Sequence, residues 1–539
     1  MILFFLISLV FFRDDVFYFK EGKYEKIIEE FKNSILYYDA IIKYAEFLFE
    51  NKDYGKVLRL IESYEDDLPS HLFKRALKLK KDIYKEINKE KYKKILRKLI
   101  VNYPYLLDEK EINLISNMDF YKGKYYFLKE KFENCIPYFE KSENNLKHYY
   151  IGYSYFKLKD YEKAISEFEK VLPSERFYYE KAKILKGLCY KYLGKFSESF
   201  NEFFNVSYEY EDLREIAMKE ARILMLQSAF VPSDLESKIN ESEKILIDYS
   251  LNGSIFLNNY EKFKNEKNIF LLYLLGKFTE DKIFFEKIYK IEPLSLFSIR
   301  EIGLWYEEDE FNDEIFDEDL FILSYLNLDE SFRYYLEKKD DPYILIKTSE
   351  KIFEINRYYH SLQIARKVYH ILREEKNLVF FPKKLLILLF PLPYKEFIFE
   401  KAREKNIDPY LVYAIIRRES EFNEKAISPK GARGLMQILP ETFKKIDKYK
   451  DFDSDSLFNP YINIDAGIEI LSSLLDSIPE IYLAIASYNA GFYRIKEWKE
   501  TGIIKDELQF FIDCPFEETR KYTFRVLSDY ETYKKIYFE

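Results

Sequence analysis

Residues 147–170 read KHYYIGYSYFKLKDYEKAISEFEK, and residues 182–205, 35 positions on, read AKILKGLCYKYLGKFSESFNEFFN. Gly152, Tyr155, Ala164 and Phe168 of the first stretch fall on Gly187, Tyr190, Ser199 and Phe203 of the second. The same offsets occur upstream at Gly123, Tyr126, Cys135 and Phe139, with a shorter connection to the next unit. Small residues where two helices cross let the backbones approach, and aromatic side chains fill the groove between neighbouring pairs. The repeat therefore predicts an α-solenoid built from helix pairs. Tyr54, Val57 and Ile61, and before them Tyr24, Ile27 and Phe31, read as degenerate earlier units.

The period is close to that of the tetratricopeptide repeat, and the pattern resembles it. Helical composition continues beyond the repeats with few breakers, since Pro232, Pro293 and Pro342 are the only prolines between Pro173 and Phe381. From about residue 205 the register blurs, so 13–204 is expected to hold tetratricopeptide-like repeats and 205–393 a more irregular solenoid with a connector. Helical repeats of this kind also offer surfaces to protein partners. The connector contains Leu385-Leu386-Ile387-Leu388-Leu389-Phe390 between Pro382, Pro391 and Pro393. It is too short and too broken to span a bilayer, and reads as a buried segment docking the last domain.

At 539 residues the chain has room for two to four domains. Its hydrophobic fraction of 47% with 33% charged residues places it among folded chains rather than disordered ones. Tyr and Phe number 50 and 49, so aromatic residues fill large apolar positions throughout and an aromatic cluster points first to core. Net charge is −9 with both signs interspersed, which argues against a nucleic-acid partner. Cys135, Cys189 and Cys514 are scattered and make neither a disulfide framework nor a zinc site. The run Met1 to Phe12 is almost wholly apolar and has the length of a signal-peptide core. No Lys or Arg precedes it and no small-x-small cleavage site follows before Arg13. Export, with weak membrane association if the segment is retained, stands beside a buried first helix as the alternative.

After the connector the composition changes: Gly431, Gly434, Gly467, Gly491 and Gly502 are five of the chain's 14 glycines. Residues 394–539 are read as a separate domain with loops of defined shape. Asp408-Pro409 supplies a cap and a first-turn proline, and predicts a helix running through Ser420. Val412, Ile415 and Ile416 form its apolar stripe, and Glu419 lies on that stripe three, four and seven positions on. A carboxyl buried there resists ionisation, which suits a general acid at neutral pH. The bland alternatives are a glutamate reaching solvent or pairing with Arg417 or Arg418.

Four further segments bear on that choice: Ser428 to Gln437 with Gly431, Gly434 and Met436; Asn459-Pro460 to Gly467 with Asn463; Ala486 to Gly491 with Tyr488-Asn489; and Pro515 to Tyr522 with Glu518, Thr519 and Arg520. Together with Glu419-Ser420, in this order and spacing, they resemble the catalytic domain of the soluble lytic murein transglycosylase family, which is similar to goose-type lysozyme. The resemblance covers the last quarter of the chain. It implies a mostly helical lysozyme-like domain that cleaves the bond between N-acetylmuramic acid and N-acetylglucosamine in peptidoglycan glycan strands. It also implies Glu419 as a single acid/base that protonates the glycosidic oxygen. The acid/base then deprotonates the muramyl C6 hydroxyl, so that a 1,6-anhydro ring closes. By the same resemblance Ser420, Ser428, Met436, Gln437, Tyr488, Asn489 and Glu518 contact the sugar or its peptide stem, no metal or cofactor is involved, and the protein is exported to the periplasm or cell envelope. Arg520, Pro460 and Gly467 are read as structural.

The residues also exclude alternatives. No His lies after residue 370, so a Ser-His-Asp or Cys-His triad or a histidine zinc site cannot be built from this domain. A pair of glycosidase carboxylates is not evident, although Glu518 is a candidate second acid. One departure from the family is Phe492-Tyr493-Arg494 after Asn489-Ala490-Gly491, where Pro-Gly is common. Two rival functions remain: a muramidase that hydrolyses the same bond with water, and a catalytically silent helical scaffold that binds glycan.

Overall fold

The computed structural model describes residues 13–210, 213–228, 241–252, 263, 266–304, 306–307, 315–376, 381–500, 506–514 and 516–538; the apolar run Met1 to Phe12 lies outside them. The described residues are mainly α-helical. Their one strand pair is two residues long, Tyr306–Glu307 parallel to Phe381–Pro382. Among them no helix is long and apolar enough to cross a membrane. The chain divides into two compact units, residues 1–235 with 328–334, and residues 236–327 with 335–539.

In the first unit the repeat has a direct steric basis. A Cβ on Gly123, Gly152 or Gly187 would lie 2.7, 2.8 or 2.6 Å from the ring of Phe139, Phe168 or Phe203 in the paired helix. The intervening Cys135, Ala164 and Ser199 are fully buried, where only a small side chain fits between the helices. One core runs on through these units from Leu77 to Cys189, and a second occupies Ile42 to Ile83. Overpacking so tight a crossing costs about 1–3 kcal/mol, so Gly187→Val is expected to lower the unfolding midpoint of this unit in denaturant titrations. An unchanged midpoint would count against the close crossing.

The segment Leu328–Tyr334 belongs to this first unit although its chain neighbours belong to the second. Ser331 Oγ donates to Asp39 Oδ2 at 2.7 Å, His71 Nε2 lies 3.0 Å from Ser331 Oγ, and Lys74 pairs with Glu330. Asp39, His71 and Lys74 come from helices Tyr37–Glu50 and Ser70–Ile87, and the His71 ring also meets that of Tyr334.

In the second unit Gly276 again sits under a phenylalanine, with Phe285 2.6 Å from where a Cβ would be. Here the separation is nine residues instead of sixteen, so the contact falls closer to the turn between Ile269–Thr279 and Ile283–Ile291. The connector forms a short helix, Lys383–Leu389, with Leu385, Leu386, Leu388 and Leu389 buried. Its C-terminal carbonyls have no helical partner, and Pro391 and Pro393 supply no N–H. Side chains of later helices satisfy them instead. Arg417 Nε donates to Leu389 O at 2.8 Å, and the Tyr537, Tyr533 and Tyr413 hydroxyls donate to the carbonyls of Phe390, Pro391 and Pro393 at 2.7, 3.1 and 2.9 Å. The Arg417 guanidinium also lies 4.3 Å from the Phe390 ring centre.

Candidate active site

The helix Pro409–Glu419 begins as Asp408-Pro409 predicts: the Asp408 carboxylate accepts from Tyr410 N at 2.9 Å and Pro409 occupies the first turn. Val412, Ile415 and Ile416 are fully buried, so the stripe faces the core and carries Glu419 at its end. Both adjacent arginines turn away from Glu419. Arg417 Nη1 lies 2.7 Å from Asp529 Oδ2, and Arg418 Nη2 and Nε lie 2.6 Å from Asp529 Oδ1 and Oδ2. Glu419 instead receives the Tyr522 hydroxyl on Oε1 at 2.6 Å.

That arrangement decides the electrostatics. Burial pushes the Glu419 carboxyl up to about 7; the Tyr522 bond opposes the rise and the neighbouring Glu518 charge adds to it. The hydroxyls of Tyr488 and Tyr522 are raised well above their ordinary range, by burial first and then by Glu419, and both stay protonated donors at neutral pH. A nearly buried carboxyl with a neutral donor and no cation beside it holds its proton near neutrality, as a general acid must.

The loop facing this helix is fixed through its backbone. Gly431 and Gly434 both adopt left-handed backbone, with φ of 85° and 73°. At Gly434 a Cβ would lie 2.2 Å from Leu457 O and 2.3 Å from Asn463 Nδ2, so only glycine fits. Asn463 is fully buried; its amide donates to the carbonyls of Arg433 and Leu457 at 2.9 and 2.8 Å, and its Oδ1 accepts from Met436 N at 2.7 Å. Ser420 Oγ donates to Leu435 O at 2.7 Å and Tyr488 hydroxyl to Met436 O at 2.9 Å. Gln437 Nε2 donates to Gly434 O and Ala426 O at 2.8 and 3.1 Å. Ser428 Oγ accepts from Ala432 N at 3.0 Å.

Glu419, Tyr488, Tyr522 and Glu518 are thus brought together, with Glu518 exposed and the other three interacting directly or through charge. Asn489 Oδ1 accepts from Thr519 Oγ1 at 2.8 Å, which ties the Ile481–Ala490 helix to the Glu517–Tyr537 helix. Ser420 and Met436 are buried, Ser420 holding the loop and Met436 packing with its sulfur against Gly467, while Ser428 and Gln437 are half-buried. Arg520 donates from Nη1 to Phe511 O at 3.0 Å and lies 5.8 Å from the Phe270 ring centre. Sequence reasoning gave no role to Tyr522 or Asn463. The signal for Tyr522 was its spacing of four from Glu518, which puts both on one helix face.

Residues 396–510 match the family model described as the transglycosylase SLT domain, and residues 148–172 match the tetratricopeptide repeat. The domain around Glu419 is therefore an SLT domain, preceded by tetratricopeptide-type helical repeats. Among characterised proteins, the chain is 36% identical over 151 residues to the soluble lytic murein transglycosylase of Salmonella typhimurium, covering 27% of this chain and 23% of that protein. It is 34% identical over 155 residues to the soluble lytic murein transglycosylase of Escherichia coli K12, covering 28% and 24%. The matched region spans about a quarter of the length of these relatives. Among solved structures, the 70-kDa soluble lytic transglycosylase of Escherichia coli aligns over 93% of this chain and 97% of its own, at 14% identity and a TM-score of 0.49. The SLT match ends at residue 510, before the helix that carries Glu518 and Tyr522.

Proposed function

We propose that the chain cleaves the glycosidic bond between N-acetylmuramic acid and N-acetylglucosamine in peptidoglycan by lytic transglycosylation, with Glu419 as acid and then base. The observation that supports this most is the nearly buried Glu419 carboxyl, held protonated near neutral pH and oriented by Tyr522. Glu419 delivers its proton to the departing sugar oxygen. The carboxylate left behind then takes the proton of the muramyl C6 hydroxyl as that oxygen attacks C1, and a 1,6-anhydro ring closes. One carboxyl thus serves both steps, and no metal or cofactor enters them. Ser428, Gln437 and Asn489 are assigned to the sugar, and the exposed Glu518 to the sugar or its peptide stem. Ser420 and Met436 act through the loop they hold. In this reading the protein works in the cell envelope, where its substrate lies.

Mass spectrometry of products from purified sacculi tests the reaction. Anhydromuramyl ends are expected; reducing ends alone would mean that water attacks instead. The pH dependence carries a signed expectation as well. The active form of Glu419 is protonated, so kcat/KM falls as pH rises through about 7. Glu518→Gln removes a like charge and moves the fall to lower pH, whereas Tyr522→Phe removes the bond that favours the carboxylate and moves it to higher pH. Shifts of the same sign in both variants, or none, would rule out this electrostatic account.

A further inference from the structure

Residues of the helices Tyr358–Lys376, Pro409–Glu419 and Glu517–Tyr537 line a cavity of about 380 Å³. It is lined by five arginines, Arg366, Arg373, Arg417, Arg418 and Arg525, and three carboxylates, Glu292, Glu421 and Asp529. In this lining five guanidiniums outnumber three carboxylates. Asp529 is shared by Arg417 and Arg418, and Glu421 is engaged by Arg366. Arg373 reaches the Ile291 carbonyl and the Tyr369 hydroxyl, and the Glu292 charge also acts on that hydroxyl. Among the described residues Arg525 has no ion-pair or hydrogen-bond partner, although it stands one turn before Asp529 on the same helix and its charge, with that of Arg417, is felt by Arg418. Burial lowers Arg418 from the ordinary arginine range; Asp529 opposes the fall, and the like charges of Arg417 and Arg525 add to it.

We propose that this cavity is a binding site for a small organic anion, whose phosphate or carboxylate group is held by Arg373 and Arg525. Guanidinium forks match the two-oxygen edge of both groups, and their hydrogen bonds to a charged acceptor are about twice as strong as neutral ones. The volume falls within the roughly 300–1,000 Å³ of small-molecule sites, well above what a bare oxyanion fills. Leu362, Leu389 and Phe524 supply apolar wall for the body of the ligand. The site does not depend on the glycan reaction.

Isothermal titration of the full chain with inorganic phosphate, glycerol 3-phosphate and succinate, in a chloride buffer, tests the proposal. Saturable binding of at least one of the three is expected, with the phosphate and succinate arms separating the two head-group chemistries. Arg525→Ala and Arg373→Ala should each weaken it about tenfold or more, the loss of one charged hydrogen bond. Arg525 is exposed, so its variant keeps the fold even if Arg373→Ala does not. Arg403→Ala, at an exposed arginine on the Lys395–Glu404 helix, should bind like the unaltered chain. The proposal is overturned by absence of saturable binding in all three titrations. It is equally overturned if Arg525→Ala binds unchanged, or if Arg403→Ala loses as much as Arg525→Ala.

Discussion

Glu419→Gln is expected to abolish most glycan cleavage while making the enzyme domain more stable at neutral pH. Proton transfer by a positioned group contributes about 10²–10⁴-fold to rate, and one residue here serves both the acid and the base step, so the loss should reach or exceed the upper end. The stability effect follows from the same burial. The folded carboxyl is raised from 4.5 to about 7, so its stabilising contribution is complete below pH 4.5 and is lost as pH rises through about 7. Above that point ionised Glu419 is a liability of about 3 kcal/mol, taking 1.36 kcal/mol per tenfold change in proton affinity. Glutamine keeps an oxygen for the Tyr522 hydroxyl and carries no charge. Thermal melts of the two proteins should therefore diverge by several degrees near pH 8, with the variant higher, and converge toward pH 4. A melting difference that does not change between those pH values would contradict the burial of this carboxyl. Retained muropeptide release would remove Glu419 from the mechanism altogether.

The largest loss of stability is expected from Asp529→Ala. Arg417 and Arg418 are both packed onto that single carboxylate, and Arg417 is buried. Removing one partner from a buried pair leaves charge in a poorly solvating interior and costs about 3–5 kcal/mol. Here two guanidiniums are stranded, at the last turn of the helix that presents Glu419. Denaturant titration of the second unit should show the loss, and activity should fall as Glu419 loses its fixed position. A change below about 1 kcal/mol would mean that solvent reaches these arginines freely.

Much of this was legible in the chain itself, and for stated reasons. The start of the catalytic helix follows from Asp408-Pro409, and its buried stripe from the spacing of Val412, Ile415 and Ile416, because caps and helical periodicity are local. The glycine-to-phenylalanine pairing of the repeats could be read because its separation of sixteen recurs at Gly123, Gly152 and Gly187. It blurred where Gly276 meets Phe285 after nine, although the contact is the same. What could not be read are partners brought together by the fold. Tyr522 reaches Glu419 across 103 positions, and Asp529 reaches Arg417 across 112. Before the fold is known, Arg417 and Arg418 are as good candidates for Glu419 as for any distant acid. The choice of Asp529 is what leaves Glu419 without a cation and able to hold a proton. The departure of Leu328–Tyr334 to the first unit is likewise invisible in a segment of ordinary helical composition.

The connector bears on how portable the enzyme is. A fragment cut at Tyr394, where the composition changes, would retain Arg417, Tyr413, Tyr533 and Tyr537 but discard the four carbonyls they serve at Leu389, Phe390, Pro391 and Pro393. Three buried donors and the half-buried Tyr537 hydroxyl would lose their acceptors by a single cut, each buried one at a penalty of about 1–3 kcal/mol. A fragment beginning at Lys383 keeps every one of those bonds. Expressed side by side, the longer piece should give more soluble folded protein than the shorter one, so that the smallest transferable domain begins inside what reads as a linker.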